Sequence, residues 1–421
     1  MAYADSVGAT AWLLVSASLV LLMTPALAFF YGGMSRAKSV LNMMMMSFGA
    51  MAVVGVLWIL FGANIAGGSG AYFGDPFSDV GLQDVVAAGD PVAIISAGFG
   101  ATFAIITVAL ISGSIADRAK FSAWLIFAGL WALLVYSPVA HWVWALDGDG
   151  NGIGLLGGAG PIFEGGTAPI DLAGGTVVHI NAGVAGLILA LLLGVRKGFG
   201  KEPFKPHNLP FVMLGAALLW FGWFGFNAGS AFAANGLAST AWLNTTAATA
   251  TAILGWLLVE RIRDGKATSL GAASGIVAGL VAITPACGAV DPIGAIIIGL
   301  FAGIFSALAV GLKYKFGYDD SLDVVGVHLV SGLWGTLAIG LLATESAIGA
   351  FGANGLFYGG GLDQLVSQAI AAGVVIVYSA VATLVIGLLI KYTIGFRVSE
   401  EIELSGIDLA LHGETAYEEA K

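Results

Sequence analysis

Val178-His179-Ile180-Asn181-Ala182-Gly183-Val184-Ala185-Gly186 returns later in the chain as Val327-His328-Leu329-Val330-Ser331-Gly332-Leu333-Trp334-Gly335, the shared pattern being V-H-[IL]-x-[AS]-G-[VL]-x-G. Eight positions before each histidine stands an aspartate, Asp171 and Asp320. Each copy lies in an apolar stretch long enough to cross a bilayer. Counting such stretches places the copies five spans apart, so they run in opposite directions. In repeats of that kind the binding site lies near the midplane where the halves meet. Both histidines are therefore expected there.

Working outward, 58% of the 421 residues are hydrophobic and 10% charged, and 63 are glycine. Lipid must then be the solvent for most of the surface. Glycine at this frequency suits helices packed closely in a membrane, with Gly271, Gly275 and Gly279 forming one such face. Apolar windows fall near 9–33, 38–66, 91–115, 121–144, 174–195, 208–231, 241–262, 268–286, 292–312, 324–345 and 365–395. The expected fold is an all-α polytopic membrane protein of eleven transmembrane helices, a 5+5 inverted repeat plus a final bracing helix. Its membrane domain covers 1–397, with repeat halves at about 9–195 and 208–345 and the eleventh helix at about 365–397; a tail covers 398–421. Stretches 67–90, 145–173 and 346–361 read as loops.

Arg36, Lys38, Arg118, Lys120, Arg196, Lys197, Lys201, Lys205, Arg261, Arg263, Lys266, Lys313 and Lys315 fall in alternate connections, and Lys391, Arg397 and Lys421 near the C-terminus. The positive-inside rule puts that side in the cytoplasm, with the N-terminus outside. Residues 1–10 lack a basic region ahead of the first apolar run, so that run is expected to be retained as a helix. The net charge of −10 comes mainly from loops and tail and reads as a solvated acidic surface; nothing points to nucleic acid. The single cysteine, Cys287, excludes an intramolecular disulfide.

A histidine inside an apolar helix gives up hydration, so it faces a partner or a cavity. Three readings follow: a structural pair bonded across helices, axial ligation of a haem, or a pore lining that exploits an imidazole titrating near neutrality. The repeat weighs against the first. The lack of an accompanying acidic or thiolate ligand cluster weighs against the second. Trp142, Trp144, Trp220, Phe221, Trp223, Phe224 and Phe226 add aromatic density. They suit an interfacial belt or, beside a hydroxyl such as Ser230, a small-cation site.

The sequence resembles the Amt/Mep/Rh ammonium transporters, in particular the bacterial and archaeal Amt branch. The resemblance rests on Phe29-Phe30-Tyr31-Gly32-Gly33, Phe103-Ala104-Ile105-Ile106-Thr107, Ala140-His141-Trp142-Val143-Trp144 and Asp171-Leu172-Ala173-Gly174-Gly175-Thr176-Val177-Val178-His179. Lys205-Pro206-His207-Asn208-Leu209-Pro210, Gly222-Trp223-Phe224-Gly225-Phe226-Asn227-Ala228-Gly229-Ser230, Thr284-Pro285-Ala286-Cys287-Gly288 and Gly326-Val327-His328 extend it. It implies an outer ammonium-recruiting site of Phe103, Trp144 and Ser230, a gate of Phe103 over Phe226, and a pore lined by His179 and His328. Asp171 is implied as a structural or electrostatic residue near that site, and Thr284 as a neighbour of the pore. It further implies ammonium or ammonia as substrate, methylammonium as an analogue, a homotrimer in the plasma membrane, and a cytoplasmic PII signalling protein as partner.

Two features stand apart. The loop 145–169 is longer than is usual in the family, and its Asp147-Gly148-Asp149-Gly150-Asn151-Gly152 resembles the opening of a calcium loop. The twelfth position, however, is Gly158 where a bidentate glutamate is required. A solvated turn is expected, and no metal, cofactor or enzymatic activity is assigned. The tail, from Arg397-Val398-Ser399-Glu400-Glu401 onward, reads either as a charged, disordered end or, by the resemblance, as a segment that packs against a neighbouring subunit and affects conduction. Two function classes remain: a transporter or channel of ammonium, and an ammonium sensor of the same fold that reports to cytoplasmic partners. The intact histidine pair and the lack of an output domain after the last helix favour the first.

Overall fold

Within lipid every backbone N–H and C=O must find a partner in the same chain, which restricts spanning segments to helices or closed barrels. In the computed structural model, which describes residues 3–347 and 353–417, the chain takes the helical solution, and no sheet forms among the described residues. Residues 348–352 of the loop expected at 346–361, and 418–421 of the tail, lie outside the described residues. The helices are α1 (Ser6–Met34), α2 (Ala37–Gly67), α3 (Pro91–Ile115), α4 (Phe121–Trp144), α5 (Gly175–Leu193), α6 (Leu209–Ala231), α7 (Gly236–Arg263), α8 (Ser269–Ile283), α9 (Pro292–Phe316), α10 (Val325–Leu342) and α11 (Asp363–Thr393). Ten of them are long and apolar enough to cross a bilayer, so the protein is an integral, multi-pass membrane protein.

The exception is α8, with 15 residues. It stops because Pro285 has no N–H to continue the ladder, and residues 284–290 then run on in turns. Asn244 on α7 holds this stretch by donating to the carbonyls of Cys287 (2.9 Å) and Val290 (2.7 Å). The glycine face expected on α8 packs on α7: a Cβ at Gly279 would stand 2.6 Å from that of Ala252, and one at Gly275 would stand 3.0 Å from the Cα of Ile253.

Helix starts follow their local sequence. Asp90, Asn208, Asn235, Thr268 and Asp291 each accept from an N–H of the first turn of α3, α6, α7, α8 and α9. Pro91, Pro210 and Pro292 sit in first turns, where a missing donor costs nothing.

The basic side chains collect at one end. Arg196, 3% exposed, grips Asp319 with Nε and Nη2, both at 2.9 Å, and reaches Asp117 with Nη1 at 3.1 Å. Arg118, fully buried, donates to Ser321 Oγ at 2.5 Å and to the Asp319 carbonyl at 2.6 Å. Burial pulls the Arg118 guanidinium down to about 10, with Asp319 opposing, so it is still charged at neutral pH. Burial by itself would raise the Asp319 carboxyl, but the bonds and charge of Arg196 hold it below the usual range.

The tail docks on this same end. It forms two short helices, α12 (Glu400–Ser405) and α13 (Ile407–His412). They are joined through Gly406 at φ 126°, a left-handed conformation where a side chain would also strike Lys38. The Glu403 carboxylate accepts from Lys197 N (2.7 Å) and Arg397 (2.7 Å), and Asp408 accepts from the N–H groups of Leu41 (3.0 Å) and Asn42 (2.8 Å) near the start of α2. Tyr417 reaches His207 at 2.9 Å. The described tail is thus an ordered lid on its own chain. The α1 end that carries Trp12, bonded to the Ala228 carbonyl, lies at the opposite end of the bundle.

Asp319→Ala takes from the buried Arg196 guanidinium both of its bonds to this carboxylate and leaves it Asp117 alone, a loss of about 3–5 kcal/mol. The expected result is a clear drop in the thermal midpoint of the detergent-solubilised protein, and an unchanged midpoint would contradict this account of the basic end.

Candidate functional site: an aromatic vestibule above a histidine-lined lumen

At the end of the bundle opposite the basic cluster a vestibule of about 1150 Å³ opens between α2, α3, α4 and the segment before α5. Trp58, Phe99, Tyr136 and Phe232 line its walls, and Phe103, Trp144, Asp171 and Ser230 its floor region. Phe103 and Trp144 meet edge to face, centroids 6.0 Å apart. The Ser230 hydroxyl donates to the Phe226 carbonyl at 2.8 Å, leaving its oxygen lone pairs for a donor in the vestibule. A small cation placed here would meet aromatic faces and a hydroxyl acceptor.

Phe103 and Phe226, both buried, close the floor as stacked rings 4.0 Å apart and 11° from parallel. Beneath them lies a narrow lumen of about 10 Å³, close to the least space one water-sized molecule needs. Apart from His179 and His328, its walls are apolar: Met23, Leu27, Ile106, Leu110, Val178, Leu219, Trp223, Phe226 and Val277. The imidazoles are nearly parallel, 18° apart, with their Nδ1 atoms 3.3 Å from each other. One Nδ1 must carry the hydrogen and the other accept it. Buried His179 Nε2 has no partner. Rings this close leave no space for a macrocycle between them, so the pair does not fit the axial ligation of a haem.

Both histidines are aimed by the same local device. The first turns of α5 (Gly175–Ile180) and of α10 (Val325–Leu329) are wound wide as π-turns, and each carries its histidine; His179 N–H bonds back five residues to the Gly174 carbonyl at 3.1 Å. Such turns recur at functional sites because they swing a side chain off the regular helical face. The Asp171 carboxylate accepts from the N–H groups of Gly174 (2.7 Å), Gly175 (2.7 Å), Thr176 (2.8 Å) and Val177 (3.4 Å), and from the Thr176 hydroxyl. Its backbone carbonyl accepts from the Trp144 indole at 2.8 Å. One residue therefore ties the start of α5 to the vestibule. Burial raises the Asp171 carboxyl, with the bonds from Thr176 opposing. Asp320 does the same for α10, accepting from Val324 (3.1 Å) and Val325 (2.7 Å). Burial pushes it up to about 6 despite the nearby Lys313.

Thr284 stands behind the lumen wall. Its hydroxyl accepts from the Trp223 indole at 2.8 Å and donates to the Leu280 carbonyl at 2.7 Å, while the Trp223 ring stacks on His179 with centroids 5.5 Å apart. Trp223, expected from the sequence only as part of an aromatic cluster suited to an interfacial belt or a cation site, instead lines the lumen. Its signal was the Trp223-x-x-Phe226 spacing, which puts both rings on one face of α6. In the long loop, Asp147 turns its carboxylate inward onto Asp149 N (2.9 Å) and Asn151 N (2.8 Å), a turn closed on itself.

The Ammonium Transporter Family profile matches residues 11–417. The chain belongs to that family. An ammonium transporter of Mycobacterium tuberculosis is 57% identical over 98% of this chain and 90% of its own, and one of Aquifex aeolicus is 49% identical over 97% and 93%. Among solved structures, Mep2 of Saccharomyces cerevisiae superposes with a TM-score of 0.83 at 30% identity, covering 99% of this chain and 92% of that one. A "Sensor Amt Protein" superposes at 0.87 with 26% identity, covering 98% and 100%. Within the family fold, the resemblance-implied residues Trp144, Phe103, Ser230, Phe226, His179 and His328 form a continuous run of contacts from vestibule to lumen; Asp171 is bonded to Trp144, and Thr284 to Trp223.

Thr284→Val strands the buried Trp223 indole N–H, at a cost of about 1–3 kcal/mol. Lower thermal stability of the solubilised protein, with a shifted tryptophan emission, is the expected outcome; emission and stability equal to wild type would show that this bond does not hold Trp223.

Proposed function

We propose that this protein conducts ammonium nitrogen through the membrane by recruiting NH₄⁺ in the aromatic vestibule, removing its proton, and passing NH₃ along the histidine-lined lumen. The observation that carries this reading is the imidazole pair bordering a water-sized apolar lumen directly under a stacked phenylalanine gate. Carrying an intact ion into such a space costs on the order of tens of kcal/mol by idealised solvation. Removing a proton from an ammonium ion, more acidic than the lysine ammonium with its pKa of about 10.4, costs less than about 5 kcal/mol at pH 7. Deprotonation is the cheaper route by a wide margin. K⁺ has no proton to give up and is rejected by the same arithmetic. The proton either stays on the vestibule side or is relayed through the imidazoles.

In this reading Phe103, Trp144 and Ser230 select the cation, Phe103 and Phe226 gate it, and Asp171 holds the frame. The basic end faces the cytoplasm of a plasma-membrane protein, and α8 with residues 284–290 counts as the eighth of eleven crossings. A trimer, and a PII-type protein on the tail-covered face, complete the proposed assembly. Transport is favoured over sensing by identity: relatives named ammonium transporters stand at 49–57%, against 26% for the named sensor.

His179→Ala and His328→Ala test the reading directly. In proteoliposomes, an ammonium jump is expected to give a flux, read as current on a solid-supported membrane and as internal alkalinisation, reduced at least about tenfold, or a current that K⁺ now shares. Full flux with K⁺ still excluded would refute the role of the pair. Truncation after Arg397 removes Asp408 from the N–H groups of Leu41 and Asn42 and is expected to lower the ammonium flux per reconstituted protein; wild-type flux would mean that the lid is passive.

A further inference from the structure

Segment 167–170, which leads into Asp171, belongs to no helix, so its backbone polar groups need partners from elsewhere. They come from α11. Gln364, Ser367 and Gln368 share one face of that helix by their spacing, and all three are buried. The Ser367 hydroxyl donates to the Thr167 carbonyl at 2.7 Å, and Gln364 Nε2 donates to the Ala168 carbonyl at 3.2 Å. Gln368 does most. Its Oε1 accepts from Ile170 N–H at 2.6 Å and from Gln364 Nε2 at 3.0 Å, while its Nε2 donates to the carbonyls of Ile170 and Thr336, both at 2.9 Å.

Two donors and two bonds accepted use this amide fully and in one orientation, since a flip would set its NH₂ against the Ile170 N–H. Burying a side-chain amide costs several kcal/mol unless each group is paired, and a plain bracing helix has no need of one. What the amide joins is specific. Ile170 precedes Asp171, which caps α5 and receives Trp144, and Thr336 lies on α10, the helix of His328.

We propose that Gln368 is a positioning residue for the recruiting site: it fixes the backbone at Ile170, and through Asp171 the Trp144 ring, against α10. The inference rests on the reading of the vestibule given above. Loss of the amide frees the segment before Asp171 and tilts Trp144, while the Asp171 carboxylate cap on α5 and the bond between the histidines, neither of which the amide touches, are kept. Recruitment weakens more than turnover, the pattern of a lost binding contribution.

The test uses the full chain in proteoliposomes, with ammonium-jump currents measured over a concentration series. Gln368→Leu, close in volume, is expected to raise the half-saturating ammonium concentration about threefold or more, with the maximal current per folded protein kept within about twofold. Trp144→Leu is measured alongside and is expected to raise it as well. A shift in Trp144→Leu without one in Gln368→Leu overturns the inference and leaves the vestibule reading intact. No shift in Trp144→Leu overturns both, whatever Gln368→Leu does. A fall in maximal current alone in Gln368→Leu reduces the residue to a structural brace and also overturns the inference. If Gln368→Leu does not fold, Gln368→Glu carries the test with the same outcomes, because it keeps the acceptor for Ile170 N–H and gives up the NH₂ shared between Ile170 and Thr336.

Discussion

A helix that begins inside an apolar protein leaves its first N–H groups without partners, and nothing but the protein itself can supply them. Asp171 meets this demand at the head of α5 with both carboxylate oxygens, and Asp320 meets it at the head of α10. The other features of the site depend on that bond set. It anchors the wide first turns, the wide turns aim the imidazoles, and the Asp171 backbone carries the vestibule tryptophan. The two caps differ in setting. Asp171 lies beside the vestibule, whereas Asp320 sits at the basic end near Lys313 and Asp323 and is held near 6.

From that frame follows a steep change of environment along one line. A vestibule of about 1150 Å³ narrows to a lumen of about 10 Å³ across a single pair of stacked rings. One side presents aromatic faces and a hydroxyl; on the other only the imidazole nitrogens offer polarity. Size alone would not separate ammonia from water. The lumen also withholds the three or so hydrogen bonds that a buried water normally makes.

Much of this was legible in the residues. The apolar windows match the helices to within a few residues, because hydropathy reports directly on the solvent a segment meets. The repeat around His179 and His328 foretold their meeting, since related positions in oppositely directed repeats converge. The wide turns were not legible: no residue pattern marks them, and similar turns form in α2 and α4 without a capping aspartate. Thr284 was placed near the pore, but its bond to Trp223 depends on how α8 breaks at Pro285. Gln364 and Gln368 did leave a trace, two amides at i and i+4 in an apolar helix, yet their partners lie on a distant loop. A disordered tail stayed open as an alternative, because the charges that suggest solvation are the ones that bind Arg397 and the start of α2.

The bond between the two Nδ1 atoms has a direction, and that direction is a form of memory. A proton that enters at one Nε2 and leaves at the other reverses both tautomers and turns the shared hydrogen bond around. A second proton cannot follow by the same path until the pair is turned back. With the rings packed beneath Trp223 and Phe226, this reset requires either a ring flip in a tightly filled space or a proton returned the other way. Any charge that moves through this pair is therefore counted one proton at a time, with a reset between one proton and the next.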